Sequence, residues 1–370
     1  NCTFTELCTN FPILEKFGIC DQIHFIRYLT EFSPLGNDSE LFVRDTEFEH
    51  VPVTIYEPKN PSPGLQRGVL YLHGGCGMFG NKSKLFRQLS CFYILFAFYY
   101  RYRLSPEHQP EIQLEDCLAV TKHLLKHAKD YGVDPNRVIL CGESSGGSLV
   151  AGVCRTLVKS SHFAKPRAQM LLYPFLQLSN TSLPAHQQNR YGPILTVKRV
   201  VKLGLKFLHE DPRNYTKFEG LLNNCHVPED MARSIKKWIS ADLIPEEFKI
   251  RGYEPPMPVP FSEELFIKTR ISEEVLLSPI LDEDHVIRQL PETYLLTCEY
   301  DILRDDGLLY KKRLEDNGVR ITWTHLKDGF HGLVSFIDTG IYSIFFKPRI
   351  RNVFIMTLYL FQLPKGERCS

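Results

Sequence analysis

The chain lacks any imbalance of charge: 44 Lys and Arg face 43 Asp and Glu in 370 residues. With no basic stripe and no acidic tail, nucleic acid is excluded as a partner, and the charge clusters read as solvated surface. The chain also lacks the roughly 18 consecutive uncharged apolar residues of a membrane span. The longest candidate, 91–100, reads as a buried strand. Internal repeats and low-complexity tracts are absent, which excludes solenoid and fibrous architectures. No CxxC pair or Cys/His cluster has metal-ligand spacing, so neither zinc nor a cofactor is expected.

What is present is apolar: 43% of residues are hydrophobic and 12% aromatic, ample for a large core. Eleven cysteines, an odd number, cannot all pair within the chain. Cys117 and Cys141 lie in apolar runs and read as buried thiols. Sequons at Asn1, Asn37, Asn81, Asn180 and Asn214 are five, where composition would give about one or two. The excess makes these asparagines glycosylation candidates and points to the secretory pathway. The sequence opens on Asn1-Cys2-Thr3 rather than Met, so an N-terminal signal or anchor is expected to be missing from it.

Apolar residues at helical spacing (Phe11, Leu14, Phe17, then Ile23, Ile26, Leu29) predict short helices in an N-terminal segment, 1–45. Strands are predicted at 46–58, at GVLYL before His73, at 91–100, before Gly142, at 168–174, at 292–301 and at 320–326. Helices are predicted at 112–131, after the glycines at 146–147, at 305–317 and at the C-terminus. Asp134-Pro135 reads as a chain break. Strands alternating with helices imply an α/β fold, a mostly parallel sheet flanked by helices. Residues 177–277 break the rhythm, being rich in charge, Pro and short helical pieces. The expected organisation is one α/β domain, 46–370, with 177–277 inserted as a helical cap that the N-terminal segment completes. Phe207, Leu208, Trp238 and Ile239 are expected to roof a pocket there, with ordinary core as the equal alternative for each.

The chemistry centres on Gly142-Glu143-Ser144-Ser145-Gly146. Composition alone yields a G-x-S-x-G about once in twelve such chains, so the bare pattern is weak. Its setting is specific: an apolar strand runs into it and a helix opens directly after it. That is the nucleophile elbow, in which a strained turn lifts a serine hydroxyl above the sheet. Serine needs a base and an orienting acid, in the chain order nucleophile, acid, histidine. Asp301 ends one strand, and His331 follows another after a short loop, Lys327–Phe330. Asp305 and Asp306 read instead as acids suiting a helix dipole, and His325 as a packing residue. His73-Gly74-Gly75 follows an earlier strand, so the N–H groups of Gly74, Gly75 and Ser145 are the candidate oxyanion hole, with His73 fixing the loop.

HGG at 73–75, YRLSPEHQPEIQLED at 102–116, GESSGG at 142–147, YDILRDDG at 300–307 and DGFHG at 328–332 resemble the hormone-sensitive-lipase group of α/β-hydrolases. Within it the likeness is to arylacetamide deacetylase-like proteins, over about 66–335. The resemblance implies a carboxylic-ester hydrolase or deacetylase acting on small apolar ester or amide substrates. It also implies a lumenal domain held at the endoplasmic reticulum by an N-terminal anchor; the apolar cap is a second route to the membrane. The sequence gives no sign of an oligomeric state.

Three positions depart from the group's pattern. Cys76 stands where its loop usually carries a third Gly, Glu143 where Asp is commoner, and Ser145 where Ala is usual. The segment 81–90 is also short for the expected helix. A Cβ at Cys76 costs about 1–2 kcal/mol if the position needs a positive φ. Cys76 and Cys298 form a candidate disulfide that would brace the site in an oxidising lumen. The competing functional reading is a non-catalytic member of the same fold, using its pocket to bind a ligand or partner.

Overall fold

A computed structural model describes residues 23, 27, 41–80, 96–160, 163–207, 210–211, 213–257, 259–269 and 278–336. Eight strands form one sheet: β1 (Leu41–Phe48), β2 (Val51–Pro58), β3 (Gln66–Leu72), β4 (Phe96–Tyr100), β5 (Val133–Glu143), β6 (Ala168–Leu172), β7 (Glu292–Tyr300) and β8 (Ile321–Phe330). Their order is β1-β2-β4-β3-β5-β6-β7-β8. β1–β2 and β2–β4 are antiparallel, and every other pair is parallel. This is the expected α/β architecture.

Near-continuous apolar runs make the central strands, because both faces of a parallel sheet are covered. Leu70, Leu72, Phe98, Leu140 and Leu295 face one layer, which they share with α1 (Pro110–His127) and α2 (Ser145–Lys159). Val69, Tyr71, Tyr99, Cys141, Met170 and Leu296 alternate with them and form a second cluster on the opposite face. Each fully buried Leu contributes about 2 kcal/mol, so this alternation fixes the register of the sheet.

Three boundaries differ from expectation for physical reasons. The predicted strand 46–58 is a hairpin, β1 and β2, so 41–45 are strand and not helix. β1 is an edge strand exposed over most of its length, so it carries no alternation to read. Its turn, Glu49-His50, has φ of +49° and +68° without a glycine to signal it. Asp134-Pro135 does not break β5. The pairing with β3 jumps from Gln66↔Val133 to Gly68↔Val138, and Pro135 sits in that irregularity, where no ladder bond is asked of it. β8 runs on through 327–330 to Phe330. The C-terminal helix and most of the N-terminal segment lie outside the described residues; of the latter, Ile23 and Arg27 are helical.

Between β6 and β7 lie α3 (Pro184–Gln188), α4 (Val197–Phe207), α5 (Tyr215–Leu222), α6 (Glu229–Ile235) and α7 (Glu263–Thr269); after them come α8 (Asp284–Ile287) and α9 (Arg304–Asp316). The inserted stretch does two jobs. Val197, Val201 and Leu205 of α4 pack on Phe218 and Leu221 of α5 and on Leu265, Ile302 and Leu303. Ile235, Ile239, Ile244 and Phe248 instead join the main core. Trp238 packs against that core too, and the Arg313 guanidinium lies 4.2 Å from its ring centroid. Trp238 and Ile239 are therefore core residues and not a pocket roof, the second of the two readings open to them. Leu208 lies outside the described residues.

Candidate active site

β5 runs straight into the elbow. Ser144 has φ 54° and ψ −123°, the strained geometry that presents its side chain above the strand end. The flanking glycines are required by close approach. A Cβ on Gly142 would lie 2.3 Å from the carbonyl oxygen of Gly146, and one on Gly146 would lie 2.2 Å from that of Leu72.

His331 immediately follows β8, and Asp301 immediately follows β7. The turns between strand end and helix bring them together. His331 Nε2 lies 3.0 Å from Ser144 Oγ, and Nδ1 lies 2.8 Å from Asp301 Oδ2. Asp301 Oδ1 accepts from the Leu303 N–H at 2.8 Å, which sets the plane of the carboxylate. Asp301 and His331 are buried, and the Tyr173 ring stands edge-on to the imidazole.

The loop after β3 faces this triad. Gly75, Cys76 and Gly77 have φ of +117°, +55° and +66° in succession. Cys76 therefore occupies a left-handed position, and the strain expected of its Cβ is present. Among the described residues no protein acceptor takes the N–H groups of Gly74, Gly75 or Ser145. His73 does fix the loop: its ring stacks on Tyr102 at 4.2 Å, and the Tyr102 hydroxyl donates to the His73 carbonyl at 2.8 Å. Gln113 Nε2 donates to the Gly77 carbonyl at 2.9 Å, and Arg27 Nε to that of Met78 at 2.6 Å. Sequence reasoning missed Tyr102, Gln113 and Arg27 as supports of this loop. Tyr102 and Gln113 belong to the 102–116 motif, which was legible as a motif but not as a cradle.

The structure contradicts the Cys76–Cys298 disulfide: both are free thiols. Cys76 follows β3 and Cys298 lies on β7, three strands away in the sheet order. At ~4.8 Å per strand that is ~14 Å, against the ~7 Å limit between bonded Cα atoms. Cys298 is fully buried, and its Sγ would be 2.9 Å from a Cβ on Gly329. Burial pushes the Cys76 thiol up to about 11, against the opposing pull of Arg199, so it stays protonated beside the serine. Cys117 and Cys141 are buried free thiols, as expected.

Asp305 and Asp306 lie in the first turn of α9, as expected, and are buried there. Asp305 accepts from the Ala185 N–H at 2.7 Å, and Asp306 from the Leu176 N–H at 3.1 Å. Besides suiting the helix dipole, they tie Leu176, Gln177 and Ala185 to α9, a role that the sequence did not reveal. Burial raises Asp306 to about 7. His325 packs between Thr297, Glu299 and Phe248, away from the triad. Asn214 caps α5 with its side chain, and Asn180 is half-buried with its amide oxygen accepting from the Ser182 N–H; Asn1, Asn37 and Asn81 lie outside the described residues.

A cavity of about 120 Å³ opens beside Ser144. Leu149, Phe175, Leu195, Val201, Leu221 and Leu303 are among the apolar side chains that line it, and Cys76 and Ser145 line it too. Phe207 also lines it, as expected. Ser144 lines it and His331 does not.

A sequence profile described as the α/β-hydrolase fold matches residues 69–230 and 257–335. Human arylacetamide deacetylase-like 4 is 42% identical over 348 residues, covering 91% of this chain and 83% of that protein. Rabbit (Oryctolagus cuniculus) arylacetamide deacetylase is 36% identical over 339 residues, covering 89% and 84%. The chain belongs to the arylacetamide deacetylase family of α/β-hydrolases. Its fold is also that of a thermostable esterase from Pseudomonas putida, with a TM-score of 0.65, 19% identity, and coverage of 95% of this chain and 97% of that one.

Two expectations follow for this family member. Cys76→Gly relieves about 1–2 kcal/mol of left-handed strain, partly offset by glycine's greater entropy when unfolded. A net gain of about 1 kcal/mol is expected, read as a raised Tm; a lowered Tm would contradict the strain. Burial also lowers His73 and His186 from 6.5 to about 4 each, with Gly74 and Phe79 backbone contacts opposing at His73 and Asp301 opposing at His186. The unfolded chain takes up these protons at higher pH than the folded one, so stability is lost as pH falls below about 6.5. Between pH 7 and 5 the loss is about 2 kcal/mol per histidine. Urea denaturation should show it, with a shallower pH slope for His186→Leu; parallel slopes would sink the claim.

Proposed function

We propose that the protein hydrolyses carboxylic esters of short apolar acids through an acyl-enzyme on Ser144. The observation that carries this reading is the continuous hydrogen-bonded line from Ser144 Oγ through His331 to Asp301. His331 Nε2 takes the Ser144 proton as the oxygen attacks the acyl carbonyl, and Asp301 holds the imidazole with its other proton on Nδ1. The N–H groups of Gly74, Gly75 and Ser145 receive the oxyanion; losing one such donor costs about 3 kcal/mol. His331 then protonates the leaving alcohol, and water, activated by the same imidazole, releases the acid. An amide leaving group would follow the same path.

The leaving group must depart on the His331 side, because that imidazole protonates it. The apolar cavity opens at Ser144 without His331 in its lining, so we assign the acyl chain to it. Its 120 Å³ is somewhat less than the roughly 150 Å³ that holds a benzene ring. With p-nitrophenyl esters, kcat/KM should peak at about four to six acyl carbons and fall beyond. A steady rise to twelve carbons would overturn the acyl assignment. Against the non-catalytic alternative stands His331, which lies within hydrogen-bond reach of both Ser144 and Asp301.

A further inference from the structure

Asp301 stands where the sheet stops supporting its own backbone. β6 ends at Leu172, opposite Leu296. The pairing of β7 with β8 shifts register between Cys298 and Tyr300. Residues 297–301 therefore run past the end of β6, and beyond Cys298 their pairing with β8 is irregular. Their carbonyls are gripped from elsewhere. Asn189, buried at the C-terminal end of α3, donates Nδ2 to the carbonyls of both Glu299 (3.1 Å) and Asp301 (2.9 Å). One amide group thus spans two carbonyls two residues apart and sets the conformation between them.

Asn189 is itself held. Its N–H donates to the Ala185 carbonyl and its carbonyl accepts from the Gly192 N–H. Its Oδ1 accepts from both terminal nitrogens of Arg251, each at 3.1 Å. Arg251 also reaches Glu299, with Nε on Oε1 at 2.9 Å and Nη2 on the carbonyl at 3.0 Å. The other end of α3 is pinned at the Ala185 N–H by Asp305. Both ends of this short helix are therefore fastened to the segment that carries Asp301, and the anchors come from the inserted stretch, not from the sheet.

We propose that Asn189, backed by Arg251, is a positioning residue for the triad, through which the inserted stretch fixes where Asp301 presents its carboxylate to His331. The proposal rests on the hydrolase reading above. Asn189 touches no reacting atom. It acts on the backbone of Asp301, and a misplacement of about 1 Å in such a group costs about 100-fold in rate. The acyl cavity is formed without it, so substrate binding should be spared.

The test uses the full chain with a short-chain p-nitrophenyl ester, fluorophosphonate labelling and thermal unfolding in parallel. Asn189→Ala should lower kcat and the labelling rate together by about 10- to 100-fold, with KM within about twofold. Asn189→Asp keeps the volume and the Oδ1 acceptor but removes both donations, and should lose as much. Gln187→Ala breaks a neighbouring exchange with Glu254 that does not reach Asp301, and should keep wild-type kcat. Arg251→Met should lose less than Asn189→Ala, since Arg251 hydrogen-bonds the segment only at Glu299 and touches Asp301 only through Asn189. A folded Asn189→Ala or Asn189→Asp protein with wild-type kcat overturns the proposal, as does an Arg251→Met loss larger than that of Asn189→Ala. If the wild type itself neither turns over nor labels, the hydrolase reading falls, and this proposal falls with it.

Discussion

Replacing His331 by alanine is expected to lower kcat by about a million-fold while leaving KM nearly unchanged. The serine hydroxyl is a poor nucleophile at neutral pH, and His331 Nε2, at 3.0 Å, is the base that takes its proton. Without it the oxyanion donors and the cavity remain, so some acceleration over water should persist, about 10³-fold. The effect is diagnostic because it does not add. Ser144→Ala should cost about as much, and Ser144→Ala/His331→Ala should be no worse than either single variant, since the two groups perform one step. Steady-state kinetics on one short-chain ester checks this. A double variant slower than both singles by a further large factor would mean that the residues act separately.

Gly146→Ala is expected to lower activity about 100-fold without touching any reacting group. A Cβ there would lie 2.2 Å from the Leu72 carbonyl oxygen and 2.5 Å from that of His73. Both contacts are backbone, at the end of β3 where the oxyanion loop begins, so no side chain can swing aside. Relief must come from moving the elbow away from β3. That displaces Ser144 Oγ and the Ser145 N–H together, relative to Gly74 and Gly75. A shift of about 1 Å costs about 100-fold in rate, and the strain is of the size that destabilises cores by about 1–3 kcal/mol. The measurements are kcat/KM and Tm on the same preparation. Wild-type values for both would show that the elbow does not pack against β3 as closely as described.

Much of the site was legible because its chemistry needs local signatures. The elbow demands glycine on both sides of Ser144, and the acid and base demand strand ends in a fixed order. Asp301 and His331 could therefore be read from where apolar runs stopped. The oxyanion loop was legible through its glycines, and Cys76 stood out as the residue lacking one where φ is +55°.

What escaped was long-range. The paired turn residues Glu49 and His50 carry no turn signature, so β1 went unseen. Asp305 and Asp306 sit where a helix dipole would favour acids, and nothing local reveals that Ala185 and Leu176 supply their partners from more than a hundred residues away. Trp238 and Ile239 were expected over the pocket because they lie in the inserted stretch; the chain there divides, one part covering the cavity and the other closing the core. The Cys76–Cys298 pairing failed for a related reason. Both residues lie near the carboxyl ends of strands, but sequence does not say that three strand spacings separate them. Asn189 had no signal at all, since its role depends on β6 ending short.

The most direct test of the central claim is to react the protein with a fluorophosphonate and map the modified peptide by mass spectrometry. The structure predicts one adduct, on Ser144, formed quickly in the wild type and lost in both Ser144→Ala and His331→Ala. An unlabelled wild-type protein, or an adduct that persists in Ser144→Ala, would contradict it.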